Sequence, residues 1–142
     1  MTAGWQVWAL GSAAFAALTA VFGKIGVAGI DSTLATLVRT IVILVMLAGI
    51  VAVSGQIRTV VTIPQQSWLF LVLSGLATGA SWLCYYRALQ IGQASQVAPV
   101  DKLSVVLVAI FGVAFLGERL APKDWLGVAL IAGGAVLLAL RR

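Results

Sequence analysis

Five apolar stretches, each about the length that a helix needs to cross a bilayer, decide what this chain can fold into. They cover approximately residues 4–22, 34–53, 68–86, 97–116 and 122–140. A hydrocarbon core of about 30 Å takes about 20 residues of helix, and every backbone N–H and C=O inside it must be satisfied within the protein, which a helix does by itself. Composition points the same way: 62% of the 142 residues are hydrophobic and 9% are charged, whereas soluble domains are about a quarter charged. The expected fold class is an all-α integral membrane protein, a single bundle of five transmembrane helices forming one domain over residues 1–142.

The breaks between the stretches carry residues that stop and start helices. Gly23, Gly26 and Gly29, with Lys24 and Asp31, close the first span, and Asp31, Ser32 and Thr33 offer N-caps to the second. SGQIRTVVTIPQQS separates the second span from the third, with Pro64 just ahead of the new helix. Its VVTI run is apolar, but Gln56, Arg58, Gln65 and Gln66 mark it as a surface turn. IGQASQ and GERLAPKD are tight loops on either side of the fourth span. Connections this short make sequential helices antiparallel neighbours and leave no room for a second domain. The opening MTAGWQVWAL lacks the basic region of a signal peptide, so the first span is expected to be retained.

An odd number of spans puts the termini on opposite sides of the membrane. The N-terminal side receives Arg58, Arg119 and Lys123, and the other side Lys24, Arg87, Arg141 and Arg142; three against four is too even for the positive-inside rule to choose. Adding Arg39 and Lys102, inside spans near the second side, gives six against three, but charges within helices are weaker evidence of orientation. Two readings stay open. In one, the chain inserts in a single orientation. In the other it has dual topology, and two antiparallel copies reproduce the inverted repeat that many transporters carry in one chain. The net charge of +5 is thus explained by orientation, and nothing supports a nucleic-acid partner.

Small residues recur four apart in three spans: Ser12, Ala16 and Ala20; Gly75 and Gly79; Ala129 and Gly133, beside Gly127 and Gly134. Such pairs let helix backbones approach closely in lipid, and packing inside the bundle is the expected use, ahead of a dedicated dimer face. Polar residues within the spans say more. Ser74, Thr78, Ser81 and Tyr85 share one face of the third span, and Trp82 and Tyr86 form a row beside them. Thr33, Thr36, Arg39 and Thr40 open the second span on one side. Arg39 lies about 10 Å from the helix start at the rise of an α-helix. A charge at that depth is unfavourable unless it snorkels, pairs or meets water. Arg39 therefore either snorkels to the nearby surface or belongs to a functional site.

Lys24, Asp31, Arg39, Arg87, Asp101 and Lys102 fall in the half of the subunit away from the N-terminus, which predicts a charged vestibule at one end. Asp101 and Lys102 are neighbours and project about 100° apart on a helix, which is expected to keep them from pairing. Asp101 then has Arg39 or Arg87 available to it. A structural ion pair and a role with substrate or protons are both readings of Asp101; snorkelling and an anion-facing role are both readings of Lys102. Trp5, Trp8, Trp68 and Trp125 stand at span ends as interfacial anchors. Trp82, Tyr85 and Tyr86 lie deeper or beside charge, and either pack or line a cavity and stack on a cation. Cys84, in an apolar run, reads as a small buried hydrophobe.

The catalytic inventory is thin. The chain has no His, its one Cys has no base beside it, and it shows no phosphate loop, paired carboxylates or metal-ligand cluster. No enzymatic activity, cofactor or metal is expected.

The second half of the chain adds a family signature. YYRALQIGQASQVAPVDKLSVVLVAIFGVAFLGERLAPKDWLGVALIAGGAVLLAL resembles the EamA repeat of the drug/metabolite transporter superfamily. The marks are Tyr85 and Tyr86 before Arg87, Ala88 and Leu89; the small-residue loop 92–98; Gly117–Glu118–Arg119 after the fourth span; and Gly127 with Gly133 and Gly134 in the fifth. Arg39 matches the Arg that many repeats carry in the second span. The resemblance covers nearly the whole chain. It implies a carrier of small organic metabolites, with substrate between two inverted five-span bundles that most members hold in one chain. A chain like the short bacterial or archaeal members needs a second copy for the other half. Where many members have Pro in the first third of the fourth span, this chain has Val105, with Pro99 one and a half turns earlier.

The expected function is transport of small organic metabolites by alternating access, in a homodimer of five-span bundles in a prokaryotic inner membrane, with antiparallel subunits as the preferred arrangement. The candidate cavity or gate residues are Arg39, Trp82, Tyr85, Tyr86, Arg87, Asp101 and Lys102. Gly117, Glu118 and Arg119 read as a structural clasp, in which Glu118, disfavoured by the C-terminal helix dipole, should find a cation or the N-terminus of the helix that Pro122 begins. The expected partners are a small-molecule substrate, the lipid bilayer and a second copy. Two other classes compete. Small multidrug or cation export pumps of four spans depend on a membrane-embedded Glu in the first span, where this chain has no acid. A non-transporting scaffold subunit would have no need of Asp101.

Overall fold

Each helix starts and stops where some group can satisfy the backbone N–H and C=O that a helix end leaves unpaired. The computed structural model describes residues 4–140. Its helices are α1 (Trp5–Gly26), α2 (Ser32–Val53), α3 (Gln65–Ile91), α4 (Ala94–Asp101), α5 (Ser104–Phe115) and α6 (Pro122–Ala139), with a 3-10 segment at Gln56–Thr62. No strand occurs among the described residues. Arg141 and Arg142, counted above toward orientation, lie outside the described residues. Five segments are long and apolar enough to cross a membrane: α1, α2, α3, α6, and Ala94–Phe115, which joins α4 to α5. The chain is an all-α integral membrane protein of five spans.

Asp31 is the residue that begins α2. It stands at the N-cap in extended conformation, and its Oδ1 accepts from the N–H of Thr33 at 2.8 Å and of Leu34 at 3.2 Å. Ser32 and Thr33, the other candidates, fall inside the helix. Two helices outrun the spans read from hydropathy. α1 passes Gly23 and ends at Gly26, and α3 runs for 27 residues to Ile91. Apolarity marks where the hydrocarbon lies, whereas a helix continues until a turn residue stops it, here Gly29 with φ of 81° after α1. α6 opens with Pro122 in its first turn, and Asp124 Oδ2 accepts from the Ala121 N–H at 2.8 Å.

The fourth span is two helices rather than one. Past Pro99 the chain changes to bonds three residues back. The N–H groups of Lys102 and Leu103 donate to the carbonyls of Pro99 and Val100 at 3.1 and 3.0 Å, and those of Val105 and Val106 donate to Lys102 and Leu103 at 3.0 Å each. The interruption thus falls at Lys102–Leu103 without a proline at position 105. At the far end of α5, Gly117 takes a φ of 68° that a side chain would resist, and the Glu118 N–H turns back to the Gly112 carbonyl at 3.0 Å.

The described chain divides into two compact units, residues 4–22 with 91–140 and residues 23–90. In the first, α4 and α5 both pack on α6. In the second, the 3-10 segment packs on α2, and the last turn of α1 fits the end of α3. Gly23 is buried there, and a Cβ on it would come within 3.3 Å of the Tyr86 hydroxyl and of Leu89 Cδ1. Val27 and Leu89 are sealed at 1% and 0% exposure. The small-residue pairs behave otherwise. A Cβ on Gly75, Gly79, Gly127, Gly133 or Gly134 would meet nothing within 4 Å, so these glycines do not serve close packing inside the subunit as expected. α3 buries only Tyr86 and Leu89, both near its C-terminal end, which leaves its glycine pair on open surface. Cys84 is likewise exposed rather than buried.

Candidate functional site

Arg39 on α2 is the charge around which the unit of residues 23–90 is arranged. Its guanidinium carbon lies 4.0 Å from the centre of the Trp82 ring and 5.4 Å from that of Tyr86. Trp82 and Tyr86 are one turn apart on α3, so their rings stack along one face and form a platform for a flat cation. Tyr86 is itself 5% exposed and held by the last turn of α1, and Tyr85 meets it edge to face with centroids 6.3 Å apart. The Arg39 side chain is half-buried, and its Nη1 is buried without a hydrogen-bond partner among the described residues. Leaving a buried donor unpaired costs about 1–3 kcal/mol, and more for a charged group.

Below this platform, polar side chains tie the end of α3 to the start of α2. The Lys24 ammonium donates to the Leu89 carbonyl at 2.6 Å, meeting one of the acceptors that a helix C-terminus leaves over. Gln90 Nε2 donates to the Ile30 carbonyl at 2.8 Å, and Arg87 Nη1 donates to Gln90 Oε1. Asp31 closes the set. The N–H groups of Leu34 and Thr33, then the Thr33 hydroxyl and the charge of Arg87, hold its carboxyl below the ordinary 3.8. The hydroxyls of Thr36, Thr40 and Thr78 donate at 2.8 Å to the carbonyls of Ser32, Thr36 and Ser74 within their own helices.

Among the described residues none of the chain's four acidic side chains forms an ion pair with Arg39. Asp31 caps α2 and Asp124 caps α6. Asp101 pairs with Lys102, Oδ2 to Nζ at 3.2 Å. Glu118 lays its carboxylate over buried Gly112, where a Cβ would lie 2.5 Å from Oε2. Two expectations change here. Asp101 and Lys102 were expected to avoid each other, but at the end of α4 both side chains are partly exposed and the long Lys102 side chain reaches round to the neighbouring carboxylate. Glu118 was expected to find a cation or the start of α6, but it folds back onto its own helix instead, where the side-chain-free surface of Gly112 admits it.

Of the residues proposed from sequence, Arg39, Trp82 and Tyr86 are brought into one contact, with Tyr85 against Tyr86 and Arg87 on Gln90. Asp101 and Lys102 belong to the other unit and pair with each other. Gly117 and Glu118 form the turn after α5, and Arg119 is exposed. Sequence reasoning placed Lys24 in the charged half without finding its acceptor, and it missed Gln90. Both act on backbone carbonyls, which every residue carries, so no residue pattern could flag these contacts. The span-end tryptophans Trp5, Trp8, Trp68 and Trp125 are exposed on the surface at 76%, 75%, 46% and 40%.

Fold and site together define a polytopic integral membrane protein that keeps an ionised side chain within a span, and such a charge marks function by default. The chain belongs to the EamA-like transporter family, whose model matches residues 3–140, and is a membrane transporter of that family. An "Uncharacterized transporter in cobO 3'region" from Sinorhizobium sp is 65% identical over 139 residues, covering 98% of this chain and 99% of the relative. An "Uncharacterized transporter" from Vibrio cholerae is 31% identical over 63% of this chain but only 30% of its own length. A "Probable 4-amino-4-deoxy-L-arabinose-phosphoundecaprenol flippase subunit ArnE" from Pseudomonas fluorescens is 29% identical over 60% of this chain and 73% of the relative. No solved structure matches. The five spans and the bacterial transporter relatives make this an integral inner-membrane protein.

Proposed function

We propose that the chain carries small organic metabolites across the membrane by alternating access, as one half of a dimer of five-span bundles. The observation that carries the reading is a permanently charged guanidinium held inside a span by two aromatic rings, in a chain of a transporter family. A bundle that only anchored other proteins would have no use for it. Dimerisation is supported by the open glycine face of α3, with Gly75 and Gly79 bare to close approach by another helix. We take the second bundle to be another copy in inverted orientation, since the charges are too evenly spread to impose one topology. No covalent chemistry is assigned to the chain, and it is read as a carrier rather than an enzyme.

Reconstituted proteoliposomes test this. Flux across a metabolite panel should appear with the wild type and fall by about tenfold or more, about 1.4 kcal/mol, on Arg39→Gln. Asp101→Asn and Lys102→Met should each lower it if the interrupted fourth span takes part in the transport cycle. Flux indifferent to all three substitutions would remove the charged-site mechanism. A second reading, pairing with a different chain, is favoured by the relative named as a flippase subunit. The mass of the complex purified from its native host separates it from a homodimer.

A further inference from the structure

We infer that Arg39 is the binding group for an oxyanion, a carboxylate or phosphate, borne by the molecule that the chain carries or by a lipid seated in it; this rests on the carrier reading and names the class of ligand. Arg39 presents five N–H donors in a planar fork and has no acceptor. Its Nη1 is buried with no partner among the described residues. The rings of Trp82, at 4.0 Å, and Tyr86, at 5.4 Å, attract the charge through their faces but offer no lone pair to the N–H groups. An oxyanion supplies what the rings lack, two acceptors in the plane of the fork.

Among the described residues no carboxylate pairs with Arg39. Within residues 23–90 the basic side chains are Lys24, Arg39, Arg58 and Arg87, and the only acid is Asp31. Asp31 is committed to the α2 N-cap through Thr33 and Leu34. The other acids are Asp101 on Lys102, Asp124 on the Ala121 N–H and Glu118 over Gly112. Lys24 and Arg87 are themselves cations, so the field at this unit repels a cationic ligand and favours an anionic one. Charge inside a span is tolerated when it is paired. With no carboxylate of the described residues paired to Arg39, the pairing group is left to the ligand. The aromatic platform holds the guanidinium ready in the meantime, and Trp82 and Tyr86 act as positioning residues.

The full chain in nanodiscs of pure phosphatidylcholine tests this, with the thermal midpoint followed at constant ionic strength against inorganic phosphate, succinate or tetraethylammonium. A parallel series replaces part of the lipid with phosphatidylglycerol. Phosphate or succinate is expected to raise the midpoint and tetraethylammonium to leave it unchanged. A response to phosphatidylglycerol alone also supports the oxyanion site and assigns it to a lipid headgroup. In Arg39→Gln the half-saturating anion concentration should rise by about tenfold or more. Arg39→Lys should fall between, because it keeps the charge without the fork. No response of the wild type to any anion, or an equal response in Arg39→Gln, overturns the inference, and the wild-type comparison of anions with tetraethylammonium needs no variant to fold. Flux measurements separate this from the carrier reading. Flux of neutral or cationic metabolites untouched by Arg39→Gln, together with no response of the wild type to any anion or to phosphatidylglycerol, would overturn the anion site and leave the carrier standing. Anion binding without flux of any solute would keep the site and overturn the carrier.

Discussion

Asp31 is a single carboxylate whose pH response can be worked out from its bonds. The Leu34 and Thr33 N–H groups hold its pKa below 3.8, so the folded value is depressed relative to the unfolded one. A depressed carboxylate contributes stability that is complete above the unfolded value and is lost as pH falls through the folded value. The cap of α2 should therefore weaken only in acid, below about pH 4. Thermal midpoints in detergent should show an acid-sensitive loss in the wild type that is absent in Asp31→Asn, which keeps an acceptor at the cap. Packing makes a second demand at this scale. Because a Cβ on Gly23 already approaches Tyr86 and Leu89 to 3.3 Å, Gly23→Leu should cost about 1–3 kcal/mol by overpacking, visible as a lowered midpoint. Arg39 could be picked out in the sequence as a charge inside an apolar run, and Trp82 and Tyr86 as a row one turn apart. Their contact could not, because nothing local says which face of α3 meets α2.

The fourth span shows how far a helix can be read from hydropathy. Its apolar run is continuous from α4 into α5, yet the hydrogen bonds change register after Pro99 and the helix parts at Lys102–Leu103. The Asp101–Lys102 pair sits at that parting. The turn at the end of α5 was legible, because glycine followed by charge after an apolar run is a stop signal, and Gly117 does adopt a φ of 68°. Gly117→Ala should lower stability by about 1–2 kcal/mol, the cost of a left-handed conformation for a residue with a Cβ, and Gly117→Asn should cost less. The carboxylate over Gly112 gives a paired test. Gly112→Ala should be nearly neutral in the wild type, where helix propensity of about 1 kcal/mol is offset by displacing Glu118, and stabilising in an Glu118→Ala background. Additive midpoints in that cycle would mean that the carboxylate does not rest on Gly112.

At the scale of the whole molecule, the open glycines and the even charge distribution make two predictions. If a second copy packs on α3, Gly75→Leu should dissociate the dimer in detergent without lowering the midpoint of the remaining monomer, since a Cβ there meets nothing in its own subunit. Light scattering measures this, and a dimer that survives the substitution places the interface elsewhere. Orientation is tested in cells with single cysteines at Gln56 and Gln93 in a Cys84→Ala background. Labelling of each from both faces of the membrane supports dual insertion, and labelling from one face alone rules it out.

The sequence by itself determined the number and approximate positions of the spans, the all-α class, the stretch Asp31–Thr33 in which α2 is capped, the turn at Gly117 and the family. These follow from local properties: apolar length against bilayer thickness, and the short-range bonds that close helix ends. Only the tertiary structure decided that Arg39 rests on Trp82 and Tyr86, that Lys24 caps α3 at Leu89, that Asp101 takes Lys102, and that the glycine pairs stay open. In a chain where nearly every face is apolar, hydropathy does not tell an inward face from an outward one, so those choices fall to packing and to the few polar groups that must find partners.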